Sequence, residues 1–435
     1  MTDDTDTNNE ILCPLYTAAE ETPDRLAIVR GATRLTYLQF EQAVRYYAEM
    51  FRAVELAPEQ QVLFYSRNRI ELPAALLACW RVGTVATLLN YRYPFDQALV
   101  HDAIPENAGM VFFGDVPIRL PDGVSPIELD PLHRIGVSTG RTLPQIRLDQ
   151  PATIMFTSGS TGTPKAVLHS YGNHYCSALG SNKNIPVTES DRWLLSLPLY
   201  HVGGLAIVFR CLIGRATIVL AQPDEELVSQ IEQQQVTHVS LVATQLQRLV
   251  NSLETDSRRL PLKAILLGGG PTPQPLVDRA LKLGLPLYRS YGLTEMASQV
   301  VTSSKPDGSA RVVLPYRDLK LADDGEILVR GKTRFVGYRQ ADGLHQPFDT
   351  DGWFATGDLG EMTPDGLMLR GRKDNLFVSG GENVYPEEIE RALIDIEGVR
   401  QAVVVAVDDA EFGQRPVAFI DGDDVDAEQL TEELR

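Results

Sequence analysis

From Ala152 to about Ser290, short apolar runs alternate with amphipathic stretches, and this alternation constrains the fold more than any other feature of the chain. The apolar runs are ATIMFT (152–157), RWLLSLPLY (192–200), ATIVLA (216–221), THVSLVA (237–243) and LKAILLG (262–268). Between them, DEELVSQIEQQQ (224–235) and PQPLVDRALKLG (273–284) read as helices. Strands rich in Val, Ile and Leu that take turns with helices predict a parallel sheet covered on both faces. An earlier set, Gln61–Arg67 and Thr84–Leu89 with helices around them, predicts a second α/β subdomain before about residue 145.

The texture changes after Val300. ADDGEI (322–327) and TPDGLM (363–368) are turn signals between alternating runs, so Arg311–Arg372 predicts antiparallel hairpins. A short α/β unit follows, with a helix from Pro386 to Ile396, strands near Ala402–Val407 and Val417–Ile420, and a helix starting near Ala427. The expected fold is therefore α/β. A large N-terminal domain (1–371) holds two α/β subdomains and a small antiparallel β subdomain, and a small, truncated α+β C-terminal domain (372–435) follows. With 435 residues the chain is too long for one compact core.

Charge and composition exclude several function classes. The net charge of −18, from 40 basic and 58 acidic residues, argues against nucleic acid or an anionic membrane surface as a general partner. An anionic small substrate is still allowed, because a local lysine or a bound Mg²⁺ reverses the sign inside one cleft. The N-terminus, MTDDTDTNNE, is too acidic and polar for a signal or transit peptide. The longest apolar run, Leu72–Asn90, contains Pro73, Arg81 and Gly83, and predicts a buried helix, a turn and a buried strand rather than a membrane span. Four scattered cysteines (Cys13, Cys79, Cys176, Cys211) with no C-x-x-C suggest neither a disulfide framework nor a zinc site, which fits a cytoplasmic protein.

The stretch MFTSGSTGTPKAVLHS (155–170) concentrates the chemistry. A buried strand delivers the chain to Thr157, and Gly159 and Gly162 let the backbone approach a ligand closely. Ser158, Ser160, Thr161 and Thr163 add hydroxyls beside free amides, which makes an anion nest that ends at Lys165. It is not a Walker loop, which needs G-x-x-x-x-G-K-[ST] running straight into a helix. Pro164 pushes Thr163 out of the α region and prevents that. A plain solvent-facing Ser/Gly turn is the bland alternative.

Five stretches occurring in order raise the specificity: TSGSTGTPK, PLYHVGG (198–204), YGLTE (291–295), TGD (356–358) and GRKDNLFVSGGENVYPEEIE (371–390). In order and spacing the chain resembles the adenylate-forming superfamily of acyl- and aryl-CoA ligases, luciferases and peptide-synthetase adenylation domains, from about residue 15 to the end. The resemblance implies a two-step reaction. A carboxylate and ATP give acyl-AMP and pyrophosphate, and a thiol, that of coenzyme A, then displaces AMP. Activation solves a leaving-group problem, since oxide leaves badly and AMP leaves well, and it demands stabilisation of charge at the α-phosphate.

The same resemblance implies roles for single residues. Thr157–Lys165 would hold the β- and γ-phosphates of ATP. Tyr291 and Gly292 would meet adenine, with Tyr291 stacked on it, while Thr294 would touch the α-phosphate and Glu295 would help hold Mg²⁺. Gly268, Gly269 and Gly270 would line the adenine and acyl pocket, and Asp358 with Arg372 would hold the ribose. His201 would lie between the ATP and acyl sites, although a lone His at a strand end is more often structural. Asp374 would be the hinge about which the small domain turns between half-reactions, and Gly380, Gly381 and Glu382 would serve the thiol step. A homodimer is the expected assembly.

The local wording, with Ala166 after Lys165, LLSLPLYHVGG, SLVATQLQRL, LLGGGP and DNLFVSGGENVYPEEIE, is most similar to the o-succinylbenzoate–CoA ligases of menaquinone biosynthesis. Such a diacid keeps one unreacted carboxylate that needs a cation or several donors. Arg210, nine residues past His201, is the candidate cation, and Ser240 and Thr244 are candidate donors; a salt bridge on a helix is the competing reading of Arg210. A CoA ligase for another aryl or fatty acid would need no such cation. A P-loop kinase or ATPase would release ADP, and a non-turnover adenylate-binding protein would form no thioester. The family keeps a lysine near the end of its C-terminal domain, and no lysine follows Lys373 here. AEQLTEELR ends inside a helix pattern, so truncation is expected, with adenylation slower by about 10²–10³-fold.

Overall fold

The computed structural model describes residues 9–94, 103–105, 108–112, 126–128, 143–157, 164–256, 258–396, 398–409 and 411–422. Two large sheets dominate. The nine-stranded sheet has the order Arg311–Val313, Ser298–Ser303, Leu287–Leu293, Ala264–Leu267, His238–Leu241, Arg192–Leu195, Thr217–Leu220, Leu26–Arg30, Thr33–Thr36. Its centre is parallel, with Val239 opposite both Leu194 and Ile265, and Ile218 opposite Ile28. Side chains alternate between two cores, as strand geometry requires. Trp193, Leu195, Ile218, Leu220 and Leu266 face one cluster, while Leu194, Val219, Val239, Ile265 and Leu267 face the other. Burial on both faces is why these strands read as unbroken apolar runs.

The eight-stranded sheet runs Gly343–His345, Gly337–Gln340, Lys165–Ser170, Pro151–Thr157, Val85–Leu88, Gln61–Tyr65, Gly109–Phe112, Pro126–Glu128. Helices Tyr37–Ala53, Glu71–Arg81, Tyr171–Asn184 and Val202–Gly214 contribute to the cluster that both sheets share, where Trp80 and Tyr171 pack on Phe209. Trp80 also donates its indole N–H to the Ala152 carbonyl (2.8 Å), so the large apolar group is buried without stranding its one donor. Leu72–Asn90 is indeed a buried helix, a turn and a buried strand. No described helix is long and apolar enough to cross a membrane.

Three sequence expectations need correction. The strand at 152–157 belongs to the eight-stranded sheet, between Val85–Leu88 and Lys165–Ser170, and not to the sheet that holds the expected strands from Arg192 onward. RWLLSLPLY is a strand only to Leu195; Pro198 has no amide hydrogen to give a neighbour, and Ser196–Tyr200 is a loop. The hairpins of 311–372 are antiparallel, but three sheets share them. Only Arg317–Leu321, Glu326–Gly331, Phe354–Thr363 and Gly366–Arg372 form a sheet of their own.

The small C-terminal unit pairs Phe377–Ser379 with Glu382–Val384 and Val399–Asp409 with Gly413–Gly422. Helix Pro386–Ile394 packs Leu393 on Ala402 and Val404. The expected last helix, from Ala427, lies outside the described residues.

Candidate active site

In open parallel sheets, ligands gather beyond the carboxyl ends of the strands. The strand ends at Leu195, Leu241, Leu267 and Leu293 lead directly into Ser196–His201, Val242–Thr244, Gly268–Gly270 and Thr294–Glu295. The periodic core thus delivers four sequence-predicted stretches to one edge.

Thr157 and Lys165 face each other across a hairpin register, closing the base of the glycine loop. Ser158, Gly159, Ser160, Thr161, Gly162 and Thr163 lie outside the described residues. Lys165 Nζ stands 5.3 Å from the ring centre of Tyr338, and the Tyr338 hydroxyl donates to Glu295 Oε1 (2.8 Å). Burial, then Glu295, pushes the Tyr338 phenol far above its ordinary pKa, so it stays a donor. Phe335 N–H holds the Glu295 carbonyl (2.7 Å). Glu295 Oε2 takes no hydrogen bond among the described residues, which leaves one hard oxygen for Mg²⁺. No group of three or more metal-type side chains exists among the described residues, so phosphate oxygens and water would supply the rest of the coordination.

Beneath the Thr294–Met296 turn lies a buried polar chain. His169 Nε2 donates to the Thr294 carbonyl (2.7 Å), which leaves Nδ1 as an acceptor toward Thr153 Oγ1 (3.3 Å). Thr153 Oγ1 in turn meets His174 Nε2 at 2.7 Å. Burial pushes His169 down to about 4 and His174 well below its ordinary value, so both rings are neutral. The chain then enters a left-handed residue, Ala297 (φ 53°), and a second positive-φ residue, Ser298 (φ 128°). A β-carbon on Gly292 would collide with the Ser298 carbonyl, so the turn closes only with glycine there.

Tyr291, Asp358, Arg372 and Asp374 are linked. The Tyr291 hydroxyl donates to Asp358 Oδ2 (2.7 Å), and Arg372 reaches Asp358 Oδ1 (2.9 Å) and Asp374 Oδ2 (3.1 Å). Gly357 (φ +74°) makes room, since a β-carbon there would stand 2.9 Å from Arg372 Nη2. A carboxylate has about four acceptor positions, so Asp358 keeps capacity for two hydroxyls. Gly269 (φ +87°) would press a β-carbon to 3.2 Å from Val242, while Gly268 has ordinary space.

His201 caps helix Val202–Gly214 without a side-chain cap bond, and its ring lies 4.4 Å from Tyr200. Desolvation, then Arg92, lowers its pKa, so the ring is neutral at neutral pH. Gly204 lets the helix lie on Pro198, whose carbonyl a β-carbon would strike. Asn68 brackets the preceding loop, donating to the Leu197 carbonyl (2.9 Å) and accepting from Leu199 N–H (3.0 Å).

Arg210 does not make the surface salt bridge that its helix position allowed. It is wholly buried, 5.2 Å from the Trp193 ring centre, and its Nη2 donates to Gln299 Oε1 (2.9 Å) and Ser298 Oγ (3.2 Å). Nε and Nη1 are buried without a partner among the described residues. Burial pushes its pKa down to about 10, still a cation at neutral pH. Ser240 is close by, accepting from Trp193 Nε1 (3.2 Å). Thr244 is exposed at the start of the next helix, and no described side-chain bond ties it to the others. Gly380 and Gly381 have positive φ (59° and 90°); Gly380 donates to the Phe412 carbonyl (3.0 Å), inside the small unit.

Sequence reasoning missed Tyr338, His169, Gln299 and Arg317. Each sits in a short strand with other polar residues, KAVLHS, SQVVTS, RDLKL and GYRQ, and nothing in those strings marks one polar residue above the rest.

Residues 15–339 match the AMP-binding enzyme family, and residues 388–435 match the AMP-binding enzyme C-terminal domain. The 2-succinylbenzoate–CoA ligase of Bacillus licheniformis is 35% identical over 95% of this chain and 90% of the relative. That of Listeria monocytogenes is 32% identical over 92% and 86%. The o-succinylbenzoate CoA synthetase (MenE) from Bacillus subtilis, in complex with the acyl-adenylate intermediate OSB-AMP, superposes with a TM-score of 0.87 at 32% identity, over 98% of this chain and 91% of that one. The same synthetase in complex with ATP and magnesium ion gives a TM-score of 0.86 over 98% and 92%.

Proposed function

The chain belongs to the AMP-binding enzyme family, and from that premise we propose that it is an AMP-forming acid–CoA ligase that converts o-succinylbenzoate to its CoA thioester. One observation carries the choice of acid. Among the described residues, Arg210 is a fully buried cation that donates to neutral acceptors only and keeps two nitrogens, Nε and Nη1, without a partner. Burying a charge without a counter-charge is costly, and a substrate carboxylate removes that cost. Nine residues of helix separate Arg210 from His201, about 13 Å of rise, and a helical side chain points back toward the N-terminus. A diacid with one carboxylate at Arg210 and the other beyond His201 fits that separation.

In the first half-reaction a carboxylate oxygen attacks the α-phosphorus, and the bond to pyrophosphate breaks. Lys165 and the loop from Thr157 hold the departing phosphates. Tyr291, Asp358 and Arg372 hold the nucleoside, and Thr294 lies at the α-phosphate. Mg²⁺, held through Glu295, supplies positive charge to the phosphate oxygens when bound. In the second half-reaction the thiol of coenzyme A attacks the acyl carbon and AMP leaves, with Asp374 as the pivot that brings Gly380 and Gly381 to the site. Four buried thiols, none in a disulfide, support a reducing cytoplasm as its compartment.

The test is to incubate the chain with ATP, Mg²⁺, CoA and o-succinylbenzoate, benzoate or octanoate, and to follow AMP and acyl-CoA. We expect the diacid to be preferred at least tenfold in kcat/KM. Equal turnover of all three would remove the assignment of the acid and leave the family standing.

A further inference from the structure

The treatment of Arg210 by its neighbours is unusual for a buried arginine. Its Nη2 is held by Ser298 Oγ and Gln299 Oε1, both uncharged. The amide nitrogen of Gln299 donates to Thr302 Oγ1 (2.8 Å), which fixes which end of the amide faces Arg210. The Gln299 carbonyl accepts from a second buried cation, Arg317, whose other donors go to the carbonyls of Pro315 (3.1 Å) and Ser177 (3.3 Å). Neither arginine meets a carboxylate among the described residues. Burial, then Arg210, pushes Arg317 down to about 9, so the two cations repel one another across Gln299. Two like charges held this way make a local positive potential that no carboxylate among the described residues meets directly.

We propose that Gln299 is a specificity-determining positioning residue: a neutral acceptor that holds Nη2 of Arg210 and leaves Nε and Nη1 for the substrate carboxylate without neutralising the charge. The proposal rests on the reading of Arg210 given above. Its physical content is the difference between Gln and Glu. Both present an oxygen to Arg210 at the same reach, but Glu would form a buried ion pair, and the cation would then have little left to offer a substrate. Arg317, bound to the Gln299 carbonyl, supports the same potential from behind. Ser298 and Gln299, which follow the Thr294–Met296 turn after Ala297, thus hold the side chain that selects the acid.

The experiment compares Gln299→Glu and Arg210→Ala with the parent chain, using o-succinylbenzoate and its analogue with hydrogen in place of the ring carboxylate. We expect Gln299→Glu to raise KM for the diacid at least tenfold and to reduce the preference for diacid over analogue by a similar factor. KM for ATP should move less than threefold, and the melting temperature should stay within a few degrees. If Arg210→Ala leaves the diacid KM unchanged, the reading of Arg210 falls and this proposal with it. If Arg210→Ala raises that KM but Gln299→Glu behaves as the parent does, the proposal alone fails. A Gln299→Glu chain that loses ATP and diacid affinity together, or melts early, would show Gln299 to be structural and also overturn it.

Discussion

Tyr338 joins two residues that the sequence suggested separately. It lies under Lys165 and donates to Glu295, so the lysine proposed to hold phosphate and the carboxylate proposed to hold Mg²⁺ share one support. Removing a hydrogen bond to a charged group typically costs about 1.5–3 kcal/mol, or roughly tenfold or more in an equilibrium. Tyr338→Phe should therefore raise the Mg²⁺ concentration for half-maximal adenylation about tenfold, read by titrating Mg²⁺ at fixed ATP. An unchanged midpoint would leave the contact without a role. Site legibility followed residue type at this scale. Glu295, Asp358 and Lys165 stood out because glycines and hydroxyls flank them in the sequence. Arg210 stood out for its distance from His201, but its burial and its neutral partners come from Trp193 and Gln299, far away in sequence. No local pattern encodes them.

The elements under the site were readable where period and composition agreed. The central strands appear within a few residues of their expected places, because burial on both faces leaves an unmistakable apolar run. What escaped was partnership. Nothing in ATIMFT says that its neighbours are Val85–Leu88 and Lys165–Ser170, and nothing in VGYRQ says that it extends the same sheet. One pair of elements yields a pH prediction. His169 and His174, on a strand and the helix after it, are neutral in the fold, with His169 lowered to about 4. Below pH 6.5 the unfolded chain takes up these protons first. Stability is therefore full above pH 6.5 and declines as pH falls toward 4, by about 3 kcal/mol from His169 with His174 adding in the same direction. Urea unfolding midpoints measured from pH 7 to pH 4 should fall, and His169→Gln should flatten the slope. A slope unaffected by the substitution would contradict the shift.

For the molecule as a whole, the junction between the large domain and the small unit is held by charge. Lys373 Nζ bridges Asp324 (2.6 Å) and Glu326 (2.8 Å), one residue from Asp374. Exposed ion pairs contribute little to global stability, but one beside the pivot proposed at Asp374 would bias orientation. Lys373→Ala should leave the melting temperature nearly unchanged and alter the ratio of pyrophosphate release to acyl-CoA formation several-fold in single-turnover runs. Equal ratios would show that the bridge is inert. The nine-stranded sheet has a different consequence, one of timing. Leu26–Arg30 pairs with Thr217–Leu220, so the earliest strands leave the ribosome long before their partner exists. At ordinary synthesis speeds the wait is roughly 10–40 s, during which only the hairpin with Thr33–Thr36 covers one edge of a strand whose centre is wholly apolar. A nascent chain of this kind is exposed to aggregation early, and its yield should depend on holding chaperones in that interval more than on the stability of the finished fold.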